Sequence, residues 1–91
     1  MAILDKVKND LGIGGTARDT QITLAIETAK AKLGMTGVDI VAETDEYTCS
    51  AIIMFCRAWF NFQGDGERYE KAFQAMADSM SMASEYAEEQ E

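Results

Sequence analysis

Residues 45–63 carry the most apolar pattern in the chain and predict a central helix. Twelve of the nineteen residues are apolar, and at 100° per residue they cover most of the helix circumference. Only a narrow stripe remains polar, formed by Glu46, Ser50, Arg57 and Asn61. A helix that is apolar almost all round is expected to be buried almost all round. We therefore expect either that the neighbouring helices wrap it closely or that other subunits cover part of it.

Two amphipathic patterns precede the central helix. Residues 2–11 predict a short first helix with its apolar side chains on one face. Thr16 or Asp19 is expected to cap a second helix, which runs to about Leu33. Gly34 follows and is expected to end this second helix.

A loop and a helical hairpin complete the predicted fold. Residues 34–44 show no helical pattern and are interpreted as the one longer loop. Thr44 is expected to cap the central helix, which ends before the turn at 64–66. A fourth helix is predicted from about Glu67 to Tyr86 or beyond, and the short turn before it predicts antiparallel packing against the central helix.

The sequence thus predicts a small all-α domain of four helices that spans residues 1–91, with a C-terminal antiparallel hairpin. The acidic tail at 87–91 is expected to fray, because negative charge is unfavourable at a helix C-terminus. A domain of 91 residues buries a limited share of its surface, and oligomerisation is a common way to stabilise such a domain.

Charge changes this picture more than overall composition does. The net charge is −8, divided as zero over residues 1–40, −3 over 41–66 and −5 over 67–91. An acidic chain repels phosphates, so we expect no sequence-specific nucleic-acid binding and no binding to anionic membranes. The sequence shows neither an apolar run long enough to span a membrane nor a signal-peptide pattern.

The candidate chemistry is sparse. The sequence contains no histidine, and Cys49 and Cys56 are expected to be buried reduced thiols, as in a cytosolic protein. Arg57 stands out because it lies on the polar stripe of the most apolar helix. We expect it to pair with an acid of its own chain or of a neighbour rather than to act in catalysis. We predict no catalytic residue, no cofactor and no metal site.

The predicted fourth helix presents two further surfaces. Asp78, Glu85 and Glu89 fall on the side opposite the apolar face and form an acidic stripe. Met82 and Tyr86 belong to a small flank of weakly apolar character. An acidic stripe is most often a solvated face.

The order of these patterns resembles a known family of viral proteins. The second predicted helix ends in Ala-Lys-x-x-x-Gly at 29–34, and the central helix contains Ala-Ile-Ile-Met-Phe-Cys-Arg-Ala-Trp-Phe-Asn at 51–61. This arrangement looks like the small head-to-tail connector, or adaptor, proteins of long-tailed bacteriophages. In that family the third helix carries an apolar run that ends in an aromatic pair and a polar residue, as Trp59, Phe60 and Asn61 do here. The resemblance covers residues 3–86.

The resemblance implies a structural protein of the virion neck, made in the cytoplasm of a bacterial host. Its subunits would form a homo-oligomeric ring between the portal protein and a tail-side adaptor, and DNA would only pass through the channel. We expect intersubunit contacts at Arg57, Phe60, Met82 and Tyr86. The acidic residues Asp78, Glu85 and Glu89 would face the channel or solvent, where negative charge keeps DNA from sticking.

Two other functions fit the same sequence. An acidic helical binding module, such as an inhibitor that mimics DNA and docks on a basic partner protein, would be a stable monomer. A small helical enzyme would need a pocket that holds two carboxylates and Arg57 together. The mass of the protein in solution separates the ring from the binding module.

Overall fold

The protein is an all-α domain, as the sequence predicts. The structure, a computed structural model, describes residues 3–38, 41 and 45–83, and contains no strand among them. These residues form four α-helices and one 3₁₀ turn: α1 Ile3–Leu11, α2 Asp19–Thr36, α3 Glu46–Trp59, the 3₁₀ turn Phe62–Gly64 and α4 Gly66–Met82. Within this part of the chain, no helix has the length and apolar character needed to cross a membrane.

Helix α3 is the centre of the bundle, with α4 and α2 packed against it and α1 packed against both α2 and α3. The other helices of the same chain cover most of α3. Close wrapping by neighbouring helices, rather than cover by other subunits, therefore accounts for most of its burial. Its exposed apolar side chains are Tyr47 and Trp59, which are 42% and 44% exposed. The buried side chains of α3 are those of Thr48, Cys49, Ala51, Ile52, Phe55 and Cys56.

Helices α3 and α4 form the predicted antiparallel hairpin. The rings of Phe55 and Phe73 meet edge to face with centroids 5.0 Å apart, while the end of α3 lies beside the start of α4 at Gly66. At the other end of α4, Ser81 lies beside Gly37, which follows α2. Helix α2 is therefore parallel to α4 and antiparallel to α3.

The predicted C-terminal end of the central helix is wrong. The helix stops at Trp59 rather than Gln63, because Asn61 and Gln63 adopt left-handed backbone angles with φ of 49° and 54°. Asparagine tolerates this conformation better than most residues. Its side-chain Oδ1 also accepts a hydrogen bond of 2.9 Å from the Gly66 N–H, which ties the turn to the first residue of α4.

The predicted ends of the second helix are also wrong. Helix α2 continues through Gly34 to Thr36 and ends at Gly37, whose φ of 114° only glycine adopts easily. The Gly37 and Val38 N–H groups donate to the carbonyls of Gly34 and Leu33, which closes the helix. At the other end Arg18 is the N-cap, without a side-chain hydrogen bond, so neither of the two predicted caps, Thr16 and Asp19, holds that position.

The N-cap of α3 is Asp45, one residue after the predicted Thr44, which lies outside the described residues. The Asp45 carboxylate accepts hydrogen bonds from the Thr48 N–H at 2.9 Å and from the Thr48 hydroxyl at 2.8 Å. Helix α4 ends at Met82, because Ala83 has extended backbone angles, whereas the predicted end at Tyr86 lies outside the described residues. Residues 39–40 and 42–44 of the predicted loop, and the predicted tail at 87–91, also lie outside the described residues.

Candidate functional site

Arg57 lies where α1, α3, the 3₁₀ turn and α4 meet. Its Nε and Nη2 atoms donate to the two carboxylate oxygens of Asp10 at 2.7 and 2.5 Å. The guanidinium group also lies over the rings of Phe62 and Tyr69, 5.5 and 5.1 Å from their centroids. We call this cluster of Asp10, Arg57, Phe62 and Tyr69 the arginine joint. It joins α1, the 3₁₀ turn and α4 to the C-terminal end of α3.

Of the two kinds of partner that the sequence left open for Arg57, the single chain shows one, the carboxylate of Asp10 in the same chain. The hydrogen bond to Asp10 is the main cause of a raised pKa for Arg57, and burial opposes this shift. A two-pronged contact of this kind fixes orientation as well as charge. In the single chain the arrangement is therefore structural, and the intersubunit role of Arg57 stays a prediction.

Helix α1 covers both cysteines of α3. Lys6 Nζ lies 3.8 Å from Cys49 Sγ, and the negative charge of Asp10 acts on Cys56. Burial, with a smaller contribution from Asp10, raises the pKa of the Cys56 thiol from 9.0 to about 12. Both cysteines are buried and reduced, as predicted, and Cys56 stays protonated and unreactive near neutral pH.

The other predicted contact residues differ in how much surface they offer. Phe60 is half-buried against the core of its own chain, whereas Met82 is 85% exposed. Asp78 is exposed on α4 and accepts a hydrogen bond of 3.1 Å from Gln74. The remaining predicted residues, Glu85, Tyr86 and Glu89, lie outside the described residues.

Three exposed apolar side chains gather at one end of the molecule. Met35 at the end of α2 and Met82 at the end of α4 are each 85% exposed, and the contact between Gly37 and Ser81 brings these two helix ends together. Tyr47 lies at the same level along the hairpin of α3 and α4. Phe55 meets Phe73 across this antiparallel pair, and Tyr47 lies eight residues before Phe55 just as Ser81 lies eight residues after Phe73. We call Met35, Tyr47 and Met82 the methionine end.

Sequence reasoning missed Met35 as a surface residue. Gly34 was expected to end the second helix, which placed Met35 in the loop without an assigned face. The signal available was the spacing, because Met35 falls two residues after Leu33 and so leaves the buried stripe of Ile22, Ile26, Ala29 and Leu33.

A polar depression lies at the opposite end of the molecule. Gly64, Asp65, Glu67, Arg68 and Lys71 line a shallow open depression at the start of α4. Lys71 Nζ lies 3.5 Å from Glu67 Oε1 one helical turn away, although both side chains are largely exposed. Among the described residues, no group of three or more acidic or cysteine side chains is arranged to hold a metal ion.

Comparison with known proteins gives no assignment: no family model matches the chain, and no curated protein and no solved structure is significantly similar to it.

Proposed function

We propose that the chain is the subunit of a homo-oligomeric ring, and specifically a head-to-tail connector of a long-tailed bacteriophage. In this role it extends the DNA channel between a portal protein and a tail-side adaptor, and it carries no catalytic site. The resemblance of residues 29–34 and 51–61 to connector proteins supports the specific assignment. The all-α architecture agrees with that family's helical fold.

The observation that carries the proposed self-association is the methionine end. Met35 and Met82 are among the most exposed large apolar side chains of the described residues, and the helix ends that carry them lie at the same end of a small domain. Grouped apolar side chains of this kind are typical of surfaces that bind another protein. Methionine suits such a surface because its flexible side chain adapts to the partner.

The acidic charge supports a role beside DNA rather than one that grips it. The net charge of −8 repels the phosphate backbone, and Asp78 on α4 is exposed as a channel-facing or solvent-facing residue should be. In the proposed ring the DNA is a polymer in transit, so weak repulsion from the wall favours free passage.

Mass in solution tests this proposal. We expect light scattering over a wide range of protein concentration to show a mass of several chains. Negative-stain images of the same sample should show rings with a central hole. A mass of one chain at every concentration contradicts the homo-oligomer on which the proposal rests.

A second candidate, an acidic module that docks on a basic partner, is favoured by the net charge of −8 alone. It requires a stable monomer that displaces DNA from a basic DNA-binding protein, with an affinity that falls as salt rises. Rings in the first experiment exclude it, whereas a monomer that competes with DNA supports it.

A further inference from the structure

Helix α1 is attached to the rest of the domain by a small set of complementary contacts. It buries only two of its side chains fully, those of Ile3 and Val7. Its charged side chains form two ion pairs across the boundary, Asp10 with Arg57 and Lys8 with Asp19, the second at 2.8 Å. The surface between α2 and α3 therefore matches α1 in both shape and charge.

The segment that joins α1 to α2 is rich in glycine and largely exposed. Its seven residues, 12–18, include three glycines, and a side chain added at any of them would meet no atom within 4 Å. Ile13 alone among these residues packs partly on the core. The hydrogen bonds of the segment are local. Gly12 and Ile13 donate to carbonyls of α1, Lys8 Nζ donates to the Gly15 carbonyl, and the carbonyls of Thr16 and Arg18 accept from the first turn of α2.

An undocked α1 needs a surface to bind. A helix of nine residues is too short to be stable alone in water, so it gains stability only when docked. Seven extended residues span up to about 25 Å, enough to carry α1 to an adjacent subunit. The surface that fits it is the same surface on a second copy of the chain, where every contact of the closed form is available again.

We propose that α1 is an exchangeable arm: in the assembled protein, α1 of one subunit docks between α2 and α3 of its neighbour. Asp10 then pairs with Arg57 of the neighbouring subunit, which gives Arg57 the intersubunit role expected from the sequence. The inference rests on the proposed homo-oligomer and states which segment links its subunits. The binding partner is a second copy of this chain.

Complementary charge reversal tests the exchange. Asp10→Arg and Arg57→Asp each place like charges in the joint, so each variant alone should lose at least tenfold in assembled protein. Mixed in equal amounts, the two variants can form correct pairs only between different chains. We expect the mixture to recover assembly, and the double variant D10R/R57D to assemble without mixing because it restores the pair in every copy. If the double variant assembles and the mixture does not, the exchange is wrong.

A second measurement uses the unchanged sequence and does not depend on the folding of variants. Light and ¹⁵N-labelled chains are unfolded together, refolded to form oligomers and treated with a carbodiimide, which links Lys8 to the adjacent Asp19. Exchange predicts that about half of the linked peptide pairs combine one light and one heavy peptide, as random pairing requires. The Asp19→Asn variant, which lacks the reacting carboxylate, identifies the linked peptides.

The outcomes separate the arm from the proposed function. Oligomers whose linked peptides never combine light and heavy chains overturn the exchange and leave the homo-oligomer intact. A protein that is monomeric throughout overturns both.

Discussion

At the scale of single residues, the arginine joint is the most specific interaction in the molecule. One guanidinium group binds both oxygens of Asp10 and lies over two rings, and the Arg57 and Asp10 side chains are only 24% and 20% exposed. A lysine in the same place has one compact charge, which cannot make the two-pronged contact or stack on the rings in the same way.

We therefore expect Arg57→Lys to lower the free energy of unfolding by about 1–2 kcal/mol, even though the charge is kept. Chemical denaturation at neutral pH measures the loss. Arg68→Lys is the matched control, because Arg68 is exposed on α4 and its replacement should change stability by less than about 0.5 kcal/mol. Equal effects of the two substitutions would show that the joint adds nothing beyond its charge.

Ionisation of the Cys56 thiol makes the stability of the folded protein depend on pH in the alkaline range. This thiol ionises at about 12 in the folded chain but near 9.0 when exposed, so between these values the folded state holds a proton that the unfolded state has lost. Stability must then fall as pH rises through this window, by up to about 1.4 kcal/mol per pH unit.

We expect the wild-type chain to lose stability more steeply than Cys56→Ala between about pH 9 and about pH 11, since alanine cannot ionise. Urea unfolding at a series of pH values measures both slopes. Other groups titrate in this range, and the comparison removes their contribution because the two chains share them. Parallel curves would show that the Cys56 thiol ionises equally easily in both states.

At the scale of helices, periodicity predicted the number of helices and their order. It did not predict where helices end, because several residues offer similar signals. Gly34 and Gly37 both suit the end of α2, and only the left-handed angle at Gly37 distinguishes them. The apolar run of α3 continues to Phe62, although Asn61 has already left the helix.

For the candidate site, the sequence could mark individual residues but not the residues they lie beside. The sequence marked Arg57 and Met82, because each stands out from the pattern of its own helix. It could not choose the partner of Arg57, since Asp10 lies 47 residues away and no local pattern connects them. Nor could it place Met35 and Met82 at the same end of the molecule, because this depends on how α2 packs against α4.

Two glycines test this account of the helix ends in opposite directions. Gly34 lies inside α2 with space around it, so Gly34→Ala should raise the free energy of unfolding by about 0.5–1 kcal/mol. A Cβ atom at Gly66 would lie 2.6 Å from Asn61 Oδ1 and 3.3 Å from the Ala58 carbonyl oxygen. Gly66→Ala should therefore lower the free energy of unfolding by about 1–3 kcal/mol, as overpacking at a buried position does. Thermal unfolding of both variants measures the signs; a destabilised Gly34→Ala would mean that α2 ends before that residue.

At the scale of the whole molecule, the two candidate interaction regions lie at opposite ends. The arginine joint surrounds the end of α3 and the start of α4, whereas the methionine end includes the last residue of α4. Along α4, thirteen residues separate Tyr69 of the arginine joint from Met82, a distance of about 20 Å. Substitutions at such a distance act independently, so assembly through the methionine end is testable without disturbing the joint.

The last prediction concerns assembly. Met35→Glu and Met82→Glu each place a charge in the methionine end, and we expect each to raise the concentration needed for assembly at least tenfold. Both side chains are 85% exposed in the single chain, so the free energy of unfolding of the chain should change by less than about 0.5 kcal/mol. Thr23→Glu is the control: it adds the same charge to an exposed site near the start of α2, at the other end of the molecule. Light scattering of the three variants, which share one net charge, separates a local contact from general repulsion. Equal assembly in all three would mean that the methionine end is not where the subunits meet.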